Sequence, residues 1–536
     1  MVTEITTVKS HEAHFWSTEP VLLFAVITLG VLCRLVYISQ PFLDAYSWRQ
    51  ADVAMISENF YLHGFNIFYP QINWAGNSPG YVGTEFPLVP FLAALFYLAF
   101  GVQDWIGRSV SVVFFAFSVP FFYLLVRKVF NEGSAWFATG IYALAPLSVF
   151  AGRSFMPDMA SLALSIAGLY LFTGWLENEK SLSRFVGAWA ATTLAILVKL
   201  PAIIIAVPML YTAWRKHGAM LVRKRGMWAF AACSLLFPLT WYSYAYWLSL
   251  SHFPHHMFGS GGLETVSLDW YINIIQQAAT SGVTPVASAA MLLGICLRPQ
   301  TKFDRLFHWW LLAILLFMIA AGQGHRHPWY LLPVVPVAAA FAGRACDFAL
   351  SRIPRAARWK TVVLGSIFFS SLSYFSFVYL KPLYEPGAVA PWRAGNELNR
   401  MVPLDVLIAA GDGGDPTCIY YSKRKGWHFL ENFGAAPIDS QEAIVALERL
   451  REKGAAYLVL TRHQPWWWSK RYANFWVYLD SRYARVRDTK DYVIFDLTNT
   501  ALGNGPVVSE PTSKSTGAFQ SGKALDELRA QVKSRA

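Results

Sequence analysis

The sequence predicts an α-helical polytopic membrane protein with a small α/β domain near its C-terminal end. Of its 536 residues, 55% are hydrophobic and only 15% are charged, whereas soluble domains carry about 25% charged residues. The hydrophobic residues are concentrated in blocks of about the length that a helix needs to cross a ~30 Å hydrocarbon core. Strand and helix patterns alternate after the last block. This composition excludes a soluble enzyme, a secreted disulfide scaffold and a coiled coil.

The hydrophobic blocks predict about eleven transmembrane helices. They cover residues 20–38, 105–126, 134–150, 159–176, 185–198, 201–214, 227–249, 284–297, 306–321, 329–343 and 361–380. With the N-terminus in the cytoplasm, the loops on that side hold 17 Lys and Arg, and the opposite side holds four: Arg49, Arg153, Lys199 and Arg326. Cytoplasmic loops are enriched in basic residues, so this orientation is the predicted one. It also accounts for the net charge of +12 without a nucleic-acid partner.

The regions outside the blocks divide the chain into four predicted parts. These are a cytoplasmic segment 1–19, a membrane domain 20–380 with a large first outer loop 39–104, an extracytoplasmic α/β domain 395–498 and a disordered tail 499–536. The α/β domain is predicted to contain strands Val406–Ala410 and Ile419–Tyr421, helix Gln441–Lys453, strand Ala456–Leu460 and a hairpin over Ala484–Leu497. In a second outer loop, an amphipathic stretch from Leu268 to Ala279 is expected to lie on the membrane surface.

Ionisable residues from loops far apart in the sequence map to the predicted outer face of the membrane. They are Asp44, Arg49, Asp52, Glu85, Arg153, Asp158, Lys199, His252, His255, His256, His325, Arg326 and His327, with Tyr330 beside them. Ionisable groups at membrane depth are costly, which makes them functional candidates. Acids can deprotonate an acceptor, while Arg and Lys can hold a phosphate leaving group and stabilise the charge that develops on it.

The order of these motifs resembles that of the GT-C glycosyltransferases. This superfamily of polyprenyl-phosphate-sugar-dependent enzymes includes protein O-mannosyltransferases and lipid A aminoarabinose transferases. The motifs are, in order, Asp44 with Trp48-Arg49-Gln50, Glu85-Phe86-Pro87, Arg153-Ser154-Phe155-Met156-Pro157-Asp158, Lys199-Leu200-Pro201 and His327-Pro328-Trp329-Tyr330-Leu331-Leu332-Pro333. The likeness covers most of residues 20–380, and the C-terminal domain also looks like the extracytoplasmic domain common in that group.

The resemblance implies roles for individual residues. It makes Asp44 the general base or the acid that positions the acceptor, with Glu85 and Asp158 as further catalytic acids. Donor-phosphate binding is expected of the cations and their neighbours: Arg49, Arg153, Lys199, His325, Arg326, His327 and Tyr330. Many relatives have two consecutive acids in the first loop, whereas Ala45 follows Asp44 here. Either Glu85 or Asp52 would therefore have to replace the second acid.

Structural roles are the alternatives for these residues. Asp44 and Asp158 could cap helices, because Asp is a favoured N-cap residue. Arg49 could pair with Asp44 or Asp52 as scaffolding. Lys199 could extend to the membrane interface, although it lies beside a break in an apolar run.

A divalent metal ion is the one cofactor that the sequence leaves open. His252, His255 and His256 have a spacing that could bind one, but histidines in loops near membranes are commonly polar surface. The five cysteines show no CxxC or other metal-binding spacing. The run Trp466-Trp467-Trp468 is predicted to form a membrane-leaning face of the C-terminal domain, since Trp is enriched at membrane interfaces.

These observations predict a glycosyltransferase of the inner membrane with an extracytoplasmic active site. It would transfer a sugar, with inversion, from a polyprenyl-phosphate donor to a hydroxyl of a lipid, glycan or protein acceptor. The alternatives are a lipid-linked glycan transporter or flippase, an oligosaccharide ligase that uses a diphosphate-linked glycan, and a non-catalytic assembly factor. A transporter would need charged residues along a path through both leaflets, whereas the cluster here is confined to one face.

Overall fold

A computed structural model describes residues 9–259, 266–298, 301, 303–322, 327–429 and 436–498 of the chain. The predicted disordered tail 499–536 lies outside these residues. Within them, nineteen α-helices, α1 to α19, are Lys9–Leu35, Ser47–His63, Leu88–Phe100, Asp104–Val129, Glu132–Leu144, Pro146–Ala151, Asp158–Glu177, Leu182–Val198, Ala206–His217, Arg225–Ser251, Leu268–Gln277, Pro285–Ile295, Leu306–Ala321, Val334–Leu350, Arg358–Tyr384, Val389–Met401, Thr417–Ser422, Ser440–Glu452 and Ala473–Arg482.

Each of the eleven hydrophobic blocks is mainly helical, and three of them, 134–150, 201–214 and 329–343, are divided. The block 134–150 consists of α5 and α6, with Pro146 as the first residue of the second helix, a position that proline favours. The predicted break at Lys199 is present, because α8 ends at Val198 and a 3-10 helix, Leu200–Ile205, leads into α9.

Only some of these helices can each cross a bilayer by length and apolar composition. Among the described residues these are α4, α7 and α15, together with a bent pair, Leu268–Gly282 and Pro285–Ile295, whose parts meet at 108°. Helices α3, α8 and α13 are apolar but shorter. The helical, polytopic fold class is confirmed, while the number of spans stays a prediction.

Glycines allow close packing of helix α14 in the membrane domain. A Cβ atom at Gly343 would lie 2.5 Å from the backbone nitrogen of Ala138 on α5. One at Gly294 on α12 would overlap the carbonyl oxygen of Phe341. Close backbone approach at small residues is a common way for membrane helices to associate, so α14 is held between α5 and α12.

The first outer loop is well ordered and contains two helices. Helix α2 is buried along most of its length, from Ser47 to Phe60. Helix α3 begins after Pro87 and is strongly apolar. Between them, the segment 64–87 makes short bridges, including Gln71 with Tyr81. Helix α2 therefore lies beneath other parts of the protein, whereas α3 keeps exposed apolar side chains such as Leu98.

The C-terminal domain is a five-stranded sheet with flanking helices. Its strands β1 to β5 are Leu407–Gly411, Gly426–His428, Ala455–Thr461, Ala484–Asp488 and Tyr492–Asp496, in the spatial order β2-β1-β3-β5-β4. Strand β1 pairs in parallel with β2 and β3, whereas β5 pairs antiparallel with β3 and β4. The carboxyl ends of β1 and β2 consequently lie side by side at one edge.

Two sequence predictions for this domain are wrong. Residues Ile419–Tyr421 belong to helix α17 and not to a strand: the carboxylate of Asp415 accepts the N–H of Thr417 at 2.9 Å and starts the helix. Its aromatic and β-branched residues are buried against α2 and α16, and a short apolar run does not distinguish a buried helix from a strand. Trp467 is fully buried and stacked on Phe429 in the domain core, so the prediction of a membrane-leaning face is wrong for Trp467, whereas Trp466 is exposed.

Polar contacts fasten the C-terminal domain to the first outer loop. The hydroxyl of Tyr421 donates to Asp104 at 2.8 Å and accepts the N–H of Phe42 at 2.7 Å. Lys423 pairs with Glu58 of α2 at 2.7 Å. The carboxyl edge of the sheet is therefore placed over α2, next to the ionisable residues of the predicted outer face.

Candidate active site

Buried polar residues form three neighbouring groups. The Asp44 cluster consists of Asp44, Gln50, Arg108 and Arg153. The Lys199 cluster consists of Arg49, Glu85, Asp158, Lys199 and Tyr330. The His428 cluster consists of Asp52, Trp74, Asp412 and His428. Because α2 supplies Arg49, Gln50 and Asp52, a single helix contributes to all three groups.

Both carboxylate oxygens of Asp44 are occupied. One accepts from Gln50 Nε2 at 2.6 Å, and the other accepts from Arg153 Nη2 at 2.6 Å and Arg108 Nη2 at 3.1 Å. The N-cap residue of α2 is Tyr46, which makes no side-chain cap bond. Asp44 therefore acts as the counter-charge of two arginines, and the capping alternative does not describe it.

Arg108 is a member of the site that the sequence interpretation missed. It is fully buried at the start of α4 and donates to the carbonyl of Gln40 as well as to Asp44. An arginine inside an otherwise apolar block was the available signal, since charges in membrane helices are rare and functional. Arg153 keeps buried Nε and Nη1 atoms with no hydrogen-bond acceptor among the described residues. Its guanidinium lies over the ring of Tyr384, 4.2 Å from the centroid.

The Lys199 cluster contains two ion pairs that are close together. Arg49 donates to both oxygens of Glu85, at 2.9 and 3.0 Å, so it does not pair with the acids that the scaffolding alternative named. Lys199 pairs with Asp158, the first residue of α7, and its ammonium lies 4.5 Å from the ring centroid of Tyr330. The predicted catalytic acids Glu85 and Asp158 thus each hold one predicted phosphate-binding cation.

Glu85 stays ionised in this cluster. Burial alone would raise the pKa of its carboxyl, but the charges of Arg49 and Lys199 outweigh burial and lower the pKa below its ordinary value. Thr84 also donates to the carboxylate at 2.9 Å. Glu85 is therefore suited to orient cations and not to exchange protons at neutral pH.

An apolar pocket opens beside Lys199. Its cavity volume is about 40 Å³, and its polar lining residues are Asp158, Ser161, Ser165, Lys199 and Tyr330. The remaining lining is mostly apolar: Leu162, Pro201, Ala202, Ile204, Ile205, Trp310, Trp329, Leu332 and Pro333. A cation beside apolar side chains can bind an anionic group that carries a hydrocarbon chain.

Residues 323–326 of the last predicted outer loop lie outside the described residues, and the structure describes the chain again from His327. The ring of His327 stacks on that of Trp329, with centroids 4.4 Å apart. The ring of Trp48 lies 5.4 Å from that of His327. His325 and Arg326 lie outside the described residues. Their predicted contacts with a donor phosphate stay predictions.

The three histidines of the second outer loop contact different groups. The His252 ring lies 5.3 Å from that of Tyr81, His255 faces the carbonyl of Ser249, and His256 lies 4.5 Å from the ring of Phe258. Across the described ranges, no three His, Cys, Asp or Glu side chains converge on a point that could hold a metal ion. Metal dependence stays an open question for this loop.

The His428 cluster joins the first outer loop to the C-terminal domain. Trp74 donates its indole N–H to Asp52 at 3.1 Å, and its ring lies 5.2 Å from that of His428. On the other side, Nδ1 of His428 donates to Asp412 at 2.9 Å. The sequence interpretation places Asp412 only in a turn and misses His428. The available signal was that residues after neighbouring parallel strands meet at one edge of a sheet, where ligands commonly bind.

Asp52 has the most perturbed carboxyl of the group. Helix α2 lies outside the predicted spans, yet Asp52 is buried, and burial raises its pKa to about 7 against the opposing effects of Arg49, Trp74 and His428. A general base works best when its pKa is close to the operating pH. Asp52 therefore has the protonation behaviour that a base needs.

Comparison with known proteins identifies the fold. Residues 83–244 match the family described as dolichyl-phosphate-mannose-protein mannosyltransferase. No curated protein matches the chain. Among solved structures, ArnT from Cupriavidus metallidurans bound to undecaprenyl phosphate is 14% identical and has a TM-score of 0.59, over 90% of this chain and 99% of that chain.

Two other structures are similar at a comparable level. The archaeal oligosaccharyltransferase AglB from Archaeoglobus fulgidus, in complex with an inhibitory peptide and a dolichol-phosphate, is 10% identical with a TM-score of 0.58, over 87% of this chain and 72% of that chain. The arabinofuranosyltransferase AftD from Mycobacteria is 16% identical with a TM-score of 0.52, over 82% of this chain and 36% of that chain.

The chain has the GT-C fold, as the motif order predicted. It is a polytopic membrane protein with a small C-terminal sheet. The matched family, the oligosaccharyltransferase and the arabinofuranosyltransferase are all named as transferases of sugars.

Proposed function

We propose that the protein transfers a sugar from a polyprenyl-phosphate donor to an acceptor hydroxyl at the outer face of the inner membrane. The observation that carries the proposal is the Lys199 cluster, in which Lys199 lines a mainly apolar pocket and the Arg49–Glu85 ion pair lies near it. The cations suit a phosphate, and the apolar side chains beside Lys199 suit the start of the hydrocarbon chain that the phosphate carries. Similar structures bound to undecaprenyl phosphate and to dolichol-phosphate support this donor class.

The donor phosphate would be bound by Lys199 and Arg49. Each cation is held by one carboxylate in the free protein, so a phosphate can bind by sharing or replacing that carboxylate. Arg153 adds two buried N–H groups that meet no described acceptor. Cations of this kind stabilise the negative charge that develops on the leaving phosphate.

A carboxylate of the first outer loop would deprotonate the acceptor. Asp44 is the candidate that the sequence predicts. To act as a base, its carboxylate would have to break its hydrogen bond with Arg108, Arg153 or Gln50. Asp52 is the candidate that the raised pKa supports. We assign proton removal to Asp52 and assign to Asp44 the positioning of Arg153 at the donor phosphate.

The proposed reaction is a single displacement at the anomeric carbon of the donor sugar. The acceptor O–H bond breaks, and its proton passes to the Asp52 carboxylate. The acceptor oxygen attacks the anomeric carbon as the bond from that carbon to the phosphate oxygen breaks. The electron pair of that bond stays on the polyprenyl phosphate, and a single displacement inverts the anomeric centre.

Release of free polyprenyl phosphate tests the proposal. Purified protein in detergent is given a panel of polyprenyl-phosphate sugars with envelope lipids and glycans as acceptors, and release is measured by mass spectrometry. Lys199→Met is expected to lower release by about 100-fold or more, as loss of a charge-stabilising donor does. Lys216→Met is the matched control, because Lys216 pairs with Glu179 in a predicted cytoplasmic region.

Two outcomes would contradict the proposal. Folded wild-type protein that releases polyprenyl phosphate from none of these donors would exclude the donor class, and diphosphate-linked glycans would then be tested as for a ligase. Equal activity of Lys199→Met and Lys216→Met would exclude the Lys199 cluster as the phosphate site.

A further inference from the structure

We propose that His428, oriented by Asp412, is a positioning residue of the active site that acts on Asp52, so that the C-terminal domain completes the catalytic centre. This inference rests on the proposed function and deepens it. It gives the soluble domain a part in the reaction itself. It also predicts that the membrane domain alone holds an incomplete base.

The sheet topology places Asp412 and His428 together. Asp412 follows the last residue of β1, and His428 is the last residue of β2. The two strands are parallel neighbours, with Ala410 opposite His428. The carboxyl ends of parallel strands are the usual site of ligand and catalytic groups in open α/β sheets.

The Asp412 carboxylate orients the imidazole. Its Oδ1 accepts from His428 Nδ1 at 2.9 Å and also from the N–H of Gly414 at 3.1 Å. A carboxylate at Nδ1 fixes the tautomer and leaves Nε2 for a second partner, as in acid–histidine pairs of many active sites. Asp412 is 1% exposed, and its Oδ2 has no hydrogen-bond partner within the described residues. This buried negative charge favours a protonated imidazole.

Trp74 contacts both His428 and Asp52 and so connects the two residues. The indole ring of Trp74 lies against the imidazole, while its N–H binds the Asp52 carboxylate. The loop that carries Trp74 fits the C-terminal domain closely: the N–H of Gly76 donates to the carbonyl of Gly426 at 2.7 Å. A Cβ atom at Gly76 would overlap the indole of Trp427. The geometry therefore depends on the docked domain.

Electrostatics link the two residues. Burial would lower the pKa of His428, but Asp412, Asp52 and Asp415 outweigh burial and raise it. The resulting positive charge on His428 stabilises the ionised form of Asp52, as does Arg49, which lies on α2 with Asp52. The negative charge of Asp415 has the opposite effect and raises the pKa of Asp52. Burial, Arg49 and His428 lower the pKa of the neighbouring His256 to about 4, so His256 adds no positive charge near neutral pH. Without the imidazolium, burial would keep Asp52 protonated to higher pH.

The test compares pH profiles of kcat/KM for release of polyprenyl phosphate. His428→Gln removes the charge, and His428→Lys keeps a positive charge in place of the imidazolium. We expect the acidic limb of the profile to move up by about one pH unit or more in His428→Gln, with about a tenfold loss at pH values below the limb. His428→Lys should retain a limb near that of the wild type, and Asp412→Asn should shift it in the same direction as His428→Gln.

Controls separate this role from a structural one. Thermal unfolding in detergent shows whether each variant is folded, and Asp488→Asn, which alters a partly exposed ion pair with Arg485 in the same domain, should leave the limb unchanged. A structural role would lower activity equally at every pH in both His428 variants.

The failures of the two proposals are distinguishable. Absence of release by the wild type at every pH contradicts the proposed function. An active wild type with the limb of folded His428→Gln unchanged overturns the role of His428 alone. Equal loss in His428→Gln and His428→Lys without a shift overturns it as well.

Discussion

Replacing Asp44 with Asn should destabilise the protein strongly, because the carboxylate is the counter-charge of two buried arginines. Arg153 Nη2 lies 2.6 Å and Arg108 Nη2 3.1 Å from the same oxygen, and the three side chains are between 0% and 2% exposed. Breaking a buried ion pair by removing one partner costs about 3–5 kcal/mol. In Asp44→Asn two guanidiniums lose their charge partner, so we expect a loss in the upper part of this range.

The assay is the free energy of unfolding in detergent, measured beside release of polyprenyl phosphate per folded molecule. Asp304→Asn is the matched control, since Asp304 is a buried partner of Arg344 in a predicted cytoplasmic region. It should cost stability but leave the activity of the folded fraction unchanged. In Asp44→Asn, both stability and activity should fall, because Arg153 loses its orientation.

One result would refute this reasoning. If Asp44→Asn is within about 1 kcal/mol of the wild type in stability and releases no polyprenyl phosphate, then Asp44 is not an electrostatic anchor. It would instead be the proton acceptor that the resemblance implied, and the assignment to Asp52 would be wrong.

Three further predictions concern other residues of the site. Asp52→Asn should lower release by about 100-fold or more at pH 7, as loss of a general base does, with stability little changed in thermal unfolding; unchanged release would exclude Asp52 as the base. Glu85→Gln should lower the unfolding temperature at pH 7 but have less effect at acidic pH: the pKa of Glu85 is lowered, so its stabilisation is present above the ordinary carboxyl pKa and lost as the pH falls through the lowered value. An equal effect at both pH values would contradict this. Gly76→Ala should lower the free energy of unfolding by about 1–3 kcal/mol more than Gly64→Ala does. Both glycines have positive φ, but only at Gly76 would an added Cβ atom overlap Trp427. Equal losses of free energy in chemical unfolding would show that backbone strain alone matters.

Local sequence patterns were sufficient where one segment decides the structure. The blocks became helices because an apolar run of helical length has few other ways to satisfy its backbone in a membrane. The break at Lys199 was predicted because Pro201 cannot continue the hydrogen bonding of a preceding helix. The antiparallel hairpin over Ala484–Leu497 was predicted from alternation and is present as β4 and β5.

Local sequence patterns did not predict the structure where burial by distant parts of the chain determines it. Residues Ile419–Tyr421 have strand composition but form a helix, because Asp415 starts the helix and α2 and α16 cover it. Trp467 resembles an interfacial tryptophan in sequence and is a core residue in the fold. In both cases the same apolar side chains fit two environments, and only the packing distinguishes them.

The sequence by itself predicted which face carries the chemistry and most of the residue types that the clusters contain. The basic loops fixed the predicted orientation, and the rare acids and bases between apolar blocks pointed to Asp44, Glu85, Asp158 and Lys199. These inferences need only the cost of placing charge in a hydrocarbon layer.

Only the tertiary structure decided which charge meets which. Arg49 and Glu85 are 36 residues apart and Asp44 and Arg153 are 109 apart, so no local pattern could pair them. The approach of His428 to Trp74 and Asp52 depends on docking a separate domain onto α2. Coulomb energy and desolvation vary with distance and burial, and both of these are properties of the folded chain.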